Sequence, residues 1–266
     1  MKCNVTVKDI YNFIDGIAPF SAQCEWDNSG LLVGDPEKEV RKIAVVLDLT
    51  NEAVKIAKEI GADLVISHHP VIFSPCRNFC SGNPAFELAA NGIAAICAHT
   101  SLDCAKGGVN DALAAVLGFE NAVPLCDEGE EGMVRTCTVN GMTGEELAKL
   151  VAEKLSASVA VTDCNKTVKK IALCGGGGGS FINAVAANGC DAYITGEAKH
   201  HEYIGAAELG LTLIAVGHFE TENPVIPVLA EKLKENFECE VAVIPQTSPV
   251  KYFYRGNSLC RLTESR

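Results

Sequence analysis

Short apolar runs alternate with amphipathic stretches along most of the chain. The first half contains "KIAVVLDLT" (42–50), "NEAVKIAKEIG" (51–61), "DLVIS" (63–67), "NPAFELAANG" (83–92), "IAAICAHT" (93–100) and "VNDALAAVLG" (109–118). The apolar runs predict strands, and the amphipathic stretches between them predict helices. Strands that alternate with helices are typical of a parallel or mixed sheet covered on both faces. The pattern therefore predicts an α/β fold.

The second half repeats this alternation after an acidic segment, "CDEGEEG" (126–132), which lacks apolar periodicity and is typical of a linker. A strand is predicted near "MVRTCTV", and the helix "TGEELAKLVAEKLS" (143–156) begins with a capping box made by Thr143 and Glu146. Further strands are predicted at "SVAVTD", "KKIALC", "DAYIT", "LTLIAVG" and "EVAVIP". We expect a first domain over 1–125, a second over 126–245, and a C-terminal tail over 246–266 that packs back on the first domain.

The two halves resemble each other. The ungapped shift that places Lys42 on Lys170 also places Gly61 on Gly189, and it aligns "KIAVVLD" with "KIALCGG" and "GADLVISHH" with "GCDAYITGE". The next strand of each half ends in a histidine followed four residues later by an acid, in "HTSLD" (99–103) and "HFETE" (218–222). These matches predict two similar three-layer α/β domains related by pseudo-twofold symmetry.

Composition narrows the class of protein. The 266 residues carry 34 acids against 22 lysines and arginines, and this net charge of −12 argues against nucleic acid as a partner. The chain shows no secretory signal and no apolar stretch long enough to span a membrane, so we expect a soluble cytoplasmic protein. The 13 cysteines form no CxxC pair, and most are expected to be small buried hydrophobes in a reducing compartment.

All six histidines lie at predicted strand ends or just beyond them, where binding sites form in α/β sheets. In "ISHHPVIF", the proline restrains His69, and a turn after the strand brings the rings of the histidine pair to one place. In "HTSLD" and "HFETE", the histidine and the acid share one face of a helical turn. The resulting nitrogen and oxygen donors suit two adjacent divalent ions of Zn, Mn, Fe or Co. They are His68, His69, Asp103, His218 and Glu222.

Each of these motifs alone has a plainer interpretation. A histidine pair is most often structural, "HTSLD" is compatible with an ordinary helix start, and "HFETE" with an exposed helix end. Their occurrence together at equivalent sheet edges favours the metal site.

A glycine run in "CGGGGGS" (174–180) follows a strand and leads into a predicted helix. Its backbone amides suit an anion such as phosphate, and a flexible sharp turn is an equally good interpretation. The run lacks the lysine of a Walker A motif. It also lacks the acid at the end of the following strand that a dinucleotide-binding fingerprint requires, because Asp191 begins that strand.

Two further stretches contain candidate residues. "EWDNSGLLVGD" (25–35) holds the only tryptophan, and its polar residues predict a turn that packs Trp26, with a substrate-facing wall as the alternative. "TGEAKHHEY" (195–203) contributes Glu197, His200 and His201, which are either acid and base groups or an exposed helix start.

In order, the motifs "EWDNSGLLVGD", "ISHHPVIF", "AHTSLD", "CGGGGGS", "YITGEAKHHE" and "GHFETE" resemble those of the Nif-three-like family, whose members are also called GTP cyclohydrolase I type 2 homologues. The resemblance covers essentially the whole chain. It implies two similar α/β domains with a dinuclear metal centre between them, and a toroidal homohexamer that encloses a cavity. The implied metal ligands are the five residues named above, with His99 beside the metals. "TGE" and "KHHE" depart from the "TGD" and single histidine of many relatives, and His201 matches better than His200.

The resemblance implies a dinuclear metal-dependent hydrolase that acts on GTP or another nucleotide or phosphoester through a metal-bridged hydroxide. The candidate catalytic groups, which would exchange protons, are His99, His201 and Glu197. The expected partners are a small-molecule substrate of the nucleotide class and further copies of the chain. The alternative hypothesis is a non-catalytic metal-binding or scaffold protein that assembles as a ring.

Overall fold

The structure is a computed structural model that describes residues 5–125, 132–162 and 166–252. The helices are α1 (Val7–Ile17), α2 (Asn51–Glu59), α3 (Pro84–Ala90), α4 (Thr100–Cys104), α5 (Val109–Leu117), α6 (Gly144–Leu155), α7 (Ile182–Ala187), α8 (His200–Glu208), α9 (His218–Glu222) and α10 (Val225–Asn236). The strands are β1 (Gly30–Val33), β2 (Lys42–Val46), β3 (Leu64–Ser67), β4 (Ala94–Cys97), β5 (Val123–Pro124), β6 (Arg135–Thr143), β7 (Ala160–Thr162), β8 (Thr167–Cys174), β9 (Ala192–Thr195), β10 (Thr212–Ala215) and β11 (Glu240–Val243). The predicted strands and helices are all present, and the α/β fold is confirmed.

The first of two compact units comprises the described residues of 5–108, together with Val225–Gln246. Its sheet has the order β1-β4-β3-β2-β11, in which β1 is antiparallel to β4 and the other neighbours are parallel. Every residue of β3 and β4 is buried, which requires that helices or loops cover both faces of the sheet.

The second unit comprises the described residues of 109–224, together with 247–252. Its sheet has the order β5-β6-β8-β9-β10-β7, with a parallel centre of β8, β9 and β10. Successive strand residues point to opposite faces, and they enter two separate apolar clusters. Ile171 and Ile194 belong to one cluster, whereas Ala172 and Tyr193 belong to the other. The second unit is therefore a three-layer arrangement with apolar packing on both sheet faces.

The sequence repeat is also a repeat of hydrogen bonds. In the first unit, the Asp63 carboxylate accepts from two backbone amides at the start of β2, and the Lys42 ammonium donates to the carbonyl at the end of α2. In the second unit, Asp191 accepts from the amides of Lys169 and Lys170 in β8, and the Lys170 ammonium donates to the carbonyl at the end of α7. The order β1-β4-β3-β2 also recurs as β7-β10-β9-β8. The two halves thus share one folding unit down to individual side-chain contacts.

The segment Val225–Gln246, which follows the second unit in the sequence, belongs to the first unit. Strand β11 pairs in parallel with β2, and the Gln246 side chain accepts hydrogen bonds from the amides of Leu47 and Asp48 at 2.9 Å each. The expected second domain over 126–245 includes Val225–Gln246, whereas in the structure these residues lie in the first unit, where β11 extends its sheet. Residues 126–131 of the expected linker and 253–266 of the expected tail lie outside the described ranges.

Several cysteines in the described ranges behave as the apolar pattern predicts. Cys97, Cys137 and Cys190 are buried among hydrophobic side chains. Burial raises the pKa of the Cys137 thiol to about 11, with the nearby Cys190 adding to the effect. Cys76 and Cys80 are exposed. None of the helices in the described ranges combines the length and apolar character needed to cross a bilayer.

The repeat generates a matched pair of stability predictions. Gly61 and Gly189 follow α2 and α7 with φ of +71° and +70°, and an added Cβ would meet nothing within 4 Å at either position. Only the left-handed backbone therefore opposes a side chain, and alanine at either position should lower the free energy of unfolding by about 1 kcal/mol. Urea denaturation measures the change.

The matched control for this pair is Gly16→Ala in α1. An added Cβ there also meets nothing within 4 Å, but the backbone is helical. Alanine should raise the free energy of unfolding by about 0.5–1 kcal/mol. Equal changes in the free energy of unfolding at all three glycines would contradict the left-handed backbone assigned to Gly61 and Gly189.

Candidate metal centre

Three imidazoles of the first unit converge at the carboxyl ends of two neighbouring strands. His68 and His69 follow β3 directly, and His99 follows β4 and precedes α4. Since these strands are parallel and adjacent, their ends meet at the same sheet edge. The ring centroids are 4.9 Å apart for His68 and His69, 5.2 Å for His68 and His99, and 5.4 Å for His69 and His99. One ring nitrogen from each lies within 4.8 Å of the others, a spacing that can hold a metal ion.

Each of these three rings is held at Nδ1 by an oxygen. The partners are the Ala98 carbonyl for His68 at 2.9 Å, Asp48 Oδ1 for His69 at 2.8 Å, and Asp27 Oδ1 for His99 at 2.7 Å. Because carbonyl and carboxylate oxygens only accept, Nδ1 carries the proton and Nε2 carries the lone pair in the neutral rings. Metal-binding histidines usually have this arrangement, which fixes the tautomer and the ring direction.

Asp103 adds a carboxylate to the same group. It lies in α4, is buried, and places Oδ1 3.7 Å from Nε2 of His68. The first unit therefore combines imidazole nitrogens with a carboxylate oxygen, as divalent transition metals prefer.

The second unit carries a smaller group of the same chemistry at the ends of β9 and β10. His218 begins α9, and its Nε2 lies 3.1 Å from Oε1 of the buried Glu222 one turn later. Its Nδ1 lies 3.3 Å from Oε2 of Glu197, an exposed residue just after β9. The spacing of "HFETE" thus brings histidine and acid together on one helical turn, as predicted.

The glycine run packs tightly against this second group. Gly176 has φ +61°, and a Cβ added there would fall 2.1 Å from Glu222 Oε1 and 3.2 Å from His218 Nε2. A Cβ on Gly175 would lie 3.3 Å from Cγ of Glu222. The glycine run therefore leaves room for the buried carboxylate of Glu222, which a side chain at position 176 would displace.

The backbone amides of the glycine run do not support the interpretation of this run as an anion site. Three of its backbone N–H groups already donate to side chains of the second unit. Gly175 donates to Asn110 Oδ1 at 2.8 Å, Gly176 to Thr221 Oγ1 at 3.0 Å, and Gly178 to Thr195 Oγ1 at 3.1 Å. The sharp turn with close packing, which was the alternative interpretation, is what the structure contains.

Asp27 is a functional candidate that the sequence did not single out. Its side chain is 0% exposed, and besides His99 it accepts hydrogen bonds from the amide of Thr100 at 3.0 Å, the amide of Asn28 at 2.7 Å and the hydroxyl of Ser29 at 3.1 Å. Burial alone would raise the pKa of Asp27, but the hydrogen bonds from His99 and Thr100 outweigh it and hold this pKa well below its ordinary value. Asp27 is therefore a buried anion that orients His99.

The expectation that the turn at 27–30 packs Trp26 is wrong. Trp26 is 59% exposed, whereas its neighbour Asp27 is the buried residue of this turn. Within the turn, the backbone amide of Asn28 and the hydroxyl of Ser29 donate to the Asp27 carboxylate.

The remaining predicted residues lie in α8 or just before it. His200 and His201 are exposed in its first turn, and Glu197 precedes it. Catalytic roles for His201 and Glu197 stay predictions, as does the role of His99.

Comparison with known proteins identifies the family. Residues 5–249 match the family model described as Duf34/NIF3, NGG1p interacting factor 3. The chain belongs to this family. A GTP cyclohydrolase 1 type 2 homolog of Clostridium perfringens is 36% identical over 255 residues, which cover 92% of this chain and 95% of the relative. NIF3-like protein 1 of Drosophila melanogaster is 33% identical over 260 residues, which cover 91% of this chain and 86% of the relative.

Solved structures of similar proteins agree with the fold of the family. The crystal structure of a hypothetical protein of Staphylococcus aureus has a TM-score of 0.85 and 28% identity, and covers 94% of this chain and 100% of that one. Reduced HcgD from Methanocaldococcus jannaschii has a TM-score of 0.77 and 33% identity, and covers 90% of this chain and 98% of that one.

The buried charge of Asp27 predicts a pH dependence of stability. A carboxyl whose pKa is lower in the folded chain stabilises it above the unfolded pKa of about 4, and this stabilisation is lost as the pH falls through the folded value. Asp27→Asn should therefore lower the free energy of unfolding at pH 7 by about 2 kcal/mol and flatten its decline below pH 4. Denaturation series between pH 2 and 7 measure both effects.

The matched control is Glu25→Gln, a change of an exposed acid two residues away. It should leave both the stability at pH 7 and the acid profile unchanged. An unaltered acid profile in Asp27→Asn would show that this carboxyl is not the stabilising anion.

Proposed function

We propose that the protein is a metal-dependent hydrolase that uses two divalent ions. The observation that carries the proposal is the group of three imidazoles, each held at Nδ1 by an oxygen and each bearing its Nε2 lone pair, beside the buried carboxylate of Asp103. Metal-binding histidines usually have this arrangement, in which the second ring nitrogen donates to a carboxylate or a carbonyl.

The donor set fits first-row divalent ions. His68, His69 and Asp103 of the first unit and His218 and Glu222 of the second would be the ligands, and they offer nitrogen and oxygen without thiolate, which suits Zn, Mn, Fe or Co. Bound in pairs, such ions supply Lewis-acid activation of water and stabilisation of negative charge on the substrate.

Side chains of the protein would transfer the protons of the reaction. Asp27 holds His99 by Nδ1, so that Nε2 is the atom at which this ring takes up or releases a proton. Hydrolysis consumes one water, whose proton passes through such a base to the leaving group. Glu197, 3.3 Å from Nδ1 of His218, and His201 are the other candidates for proton transfer.

The substrate class comes from the relatives. Several are named GTP cyclohydrolase 1 type 2 homolog, which supports a nucleotide such as GTP, or another phosphoester, as the small-molecule substrate. Self-association as a toroidal homohexamer, implied by the family resemblance, belongs to the same proposal.

Metal content is the first test. The purified full chain should bind up to two equivalents of a divalent transition metal in elemental analysis after dialysis. His68→Ala should reduce the bound metal by at least one equivalent, because it removes a buried imidazole from the ligand set. His200→Ala, which removes an exposed imidazole outside that set, should retain the full amount. Equal metal content in both variants would refute the ligand assignment.

Turnover separates an enzyme from a metal-binding scaffold. The metal-loaded protein should hydrolyse at least one member of a panel of purine nucleotides and phosphoesters. An Asp103→Asn, Glu222→Gln double variant should lose at least about 100-fold in rate, since both buried carboxylates are proposed ligands. Product chromatography measures the rates, with His200→Ala as the active control.

Stoichiometric metal without turnover on any class of substrate would favour the alternative of a non-catalytic metal-binding ring. Turnover that persists after complete metal removal would reject both the metal-dependent hydrolase and the non-catalytic metal-binding ring.

A further inference from the structure

Two large aromatic side chains stand exposed beside each other in the first unit. Trp26 is 59% exposed and Phe73 is 54% exposed, and their ring centroids are 6.0 Å apart with an interplanar angle of 50°. We call this pair the aromatic wall. Exposure of one large apolar residue is ordinary, but two in contact leave a continuous apolar surface in water.

Hydrogen bonds fix the two backbone segments that carry the aromatic wall. Trp26 is joined to Asp27, whose buried carboxylate is fixed by hydrogen bonds from α4 and its own turn. The segment that carries Phe73 is tied to the same turn, because Asn28 Nδ2 donates to the Ile72 carbonyl at 2.6 Å. The backbone segments that carry the two rings are therefore tied to each other, which reduces the entropic cost of binding a ligand between them and His99.

The wall also adjoins the candidate metal centre. The His99 ring lies 5.9 Å from Trp26 and 6.3 Å from Phe73, edge-on to both, with interplanar angles of 74° and 77°. A planar group that contacts the wall would thus lie beside a proposed proton-transfer residue and the rest of the histidine group.

We propose that the aromatic wall stacks the planar base of a purine nucleotide and so positions the substrate beside His99. This inference rests on the proposed function and names the residues that recognise the base. Every base presents an apolar face, and stacking on an aromatic side chain needs no complementary charge from this acidic chain. Two rings alone offer far less than the roughly 800 Å² per partner that a stable protein interface buries, which favours a small ligand over a second copy.

Tryptophan fluorescence tests the proposal directly, because Trp26 is the only tryptophan of the chain. Excited at the red edge of its absorption, the full-length protein should show saturable quenching with guanosine monophosphate. Ribose 5-phosphate, which has the sugar and phosphate but no base, should leave the fluorescence unchanged. The titrations are performed with metal-free and metal-loaded protein.

Variants separate stacking from a general change in the protein. Phe73→Ala should weaken guanosine monophosphate binding about 10-fold, because it removes half of the wall. Trp26→Ala, followed by calorimetry because the fluorophore is lost, should weaken it at least as much. Phe79→Ala is the matched control: Phe79 is 47% exposed in the same connection between β3 and α3 but contacts Phe86 instead of the wall. It should bind as the wild type does.

Several results would overturn the proposal. These are the absence of saturable quenching, equal quenching by ribose 5-phosphate, or equal affinities of Phe73→Ala and Phe79→Ala. A change of oligomeric state in Trp26→Ala or Phe73→Ala during sedimentation, without loss of nucleotide affinity, would show that a second copy covers the wall.

The fluorescence titration and the measurement of bound metal test different proposals. Quenching by the nucleotide in a protein that binds no metal would support the wall and reject the metal-dependent hydrolase. Bound metal without quenching by the nucleotide would reject the aromatic wall as a base-binding surface and leave the metal-dependent hydrolase supported.

Discussion

The buried carboxylate of Asp27 is the interaction on which the candidate site of the first unit depends. A charge without solvent contact is costly, and this one is stabilised because it accepts several hydrogen bonds from its own turn and from the start of α4. The same bonds fix His99 in one orientation and leave Trp26 outside. The tautomer of His99, the position of the turn that carries Asp27 and the exposure of Trp26 therefore all depend on the hydrogen bonds that the Asp27 carboxylate accepts.

The repeated folding unit shows how one scaffold carries two different groups of candidate ligands. The shift that aligns the halves places His68 on Gly196 and His69 on Glu197. A side chain at 196 is excluded, since a Cβ there would lie 2.6 Å from the Gly176 carbonyl oxygen. The glycine run that makes room for Glu222 thus also prevents a second histidine pair. The first unit concentrates imidazoles, whereas the second supplies one imidazole and two carboxylates.

Local pattern was informative where neighbours along the chain decide the outcome. The strands and helices, the capping box at Thr143 and the histidine–acid contact in α9 all depend on residues within one or two turns. Pattern was uninformative about partners distant in sequence. It gave no sign that Asp27 would hold His99, that β11 would join β2, or that the glycine amides would be used by Asn110 and Thr221.

Taken alone, the sequence determined the α/β class, the repeat and the residue types at the strand ends, because side-chain periodicity and turn chemistry act locally. Only the tertiary structure decided which nitrogen of each imidazole keeps its lone pair, which acid orients His69 and His99, and why Gly176 must lack a side chain beside Glu222. These outcomes depend on contacts between residues distant in sequence, such as Asp27 and His99, which are 72 positions apart. Such contacts are set by packing of the whole unit, and no short stretch of sequence contains both partners.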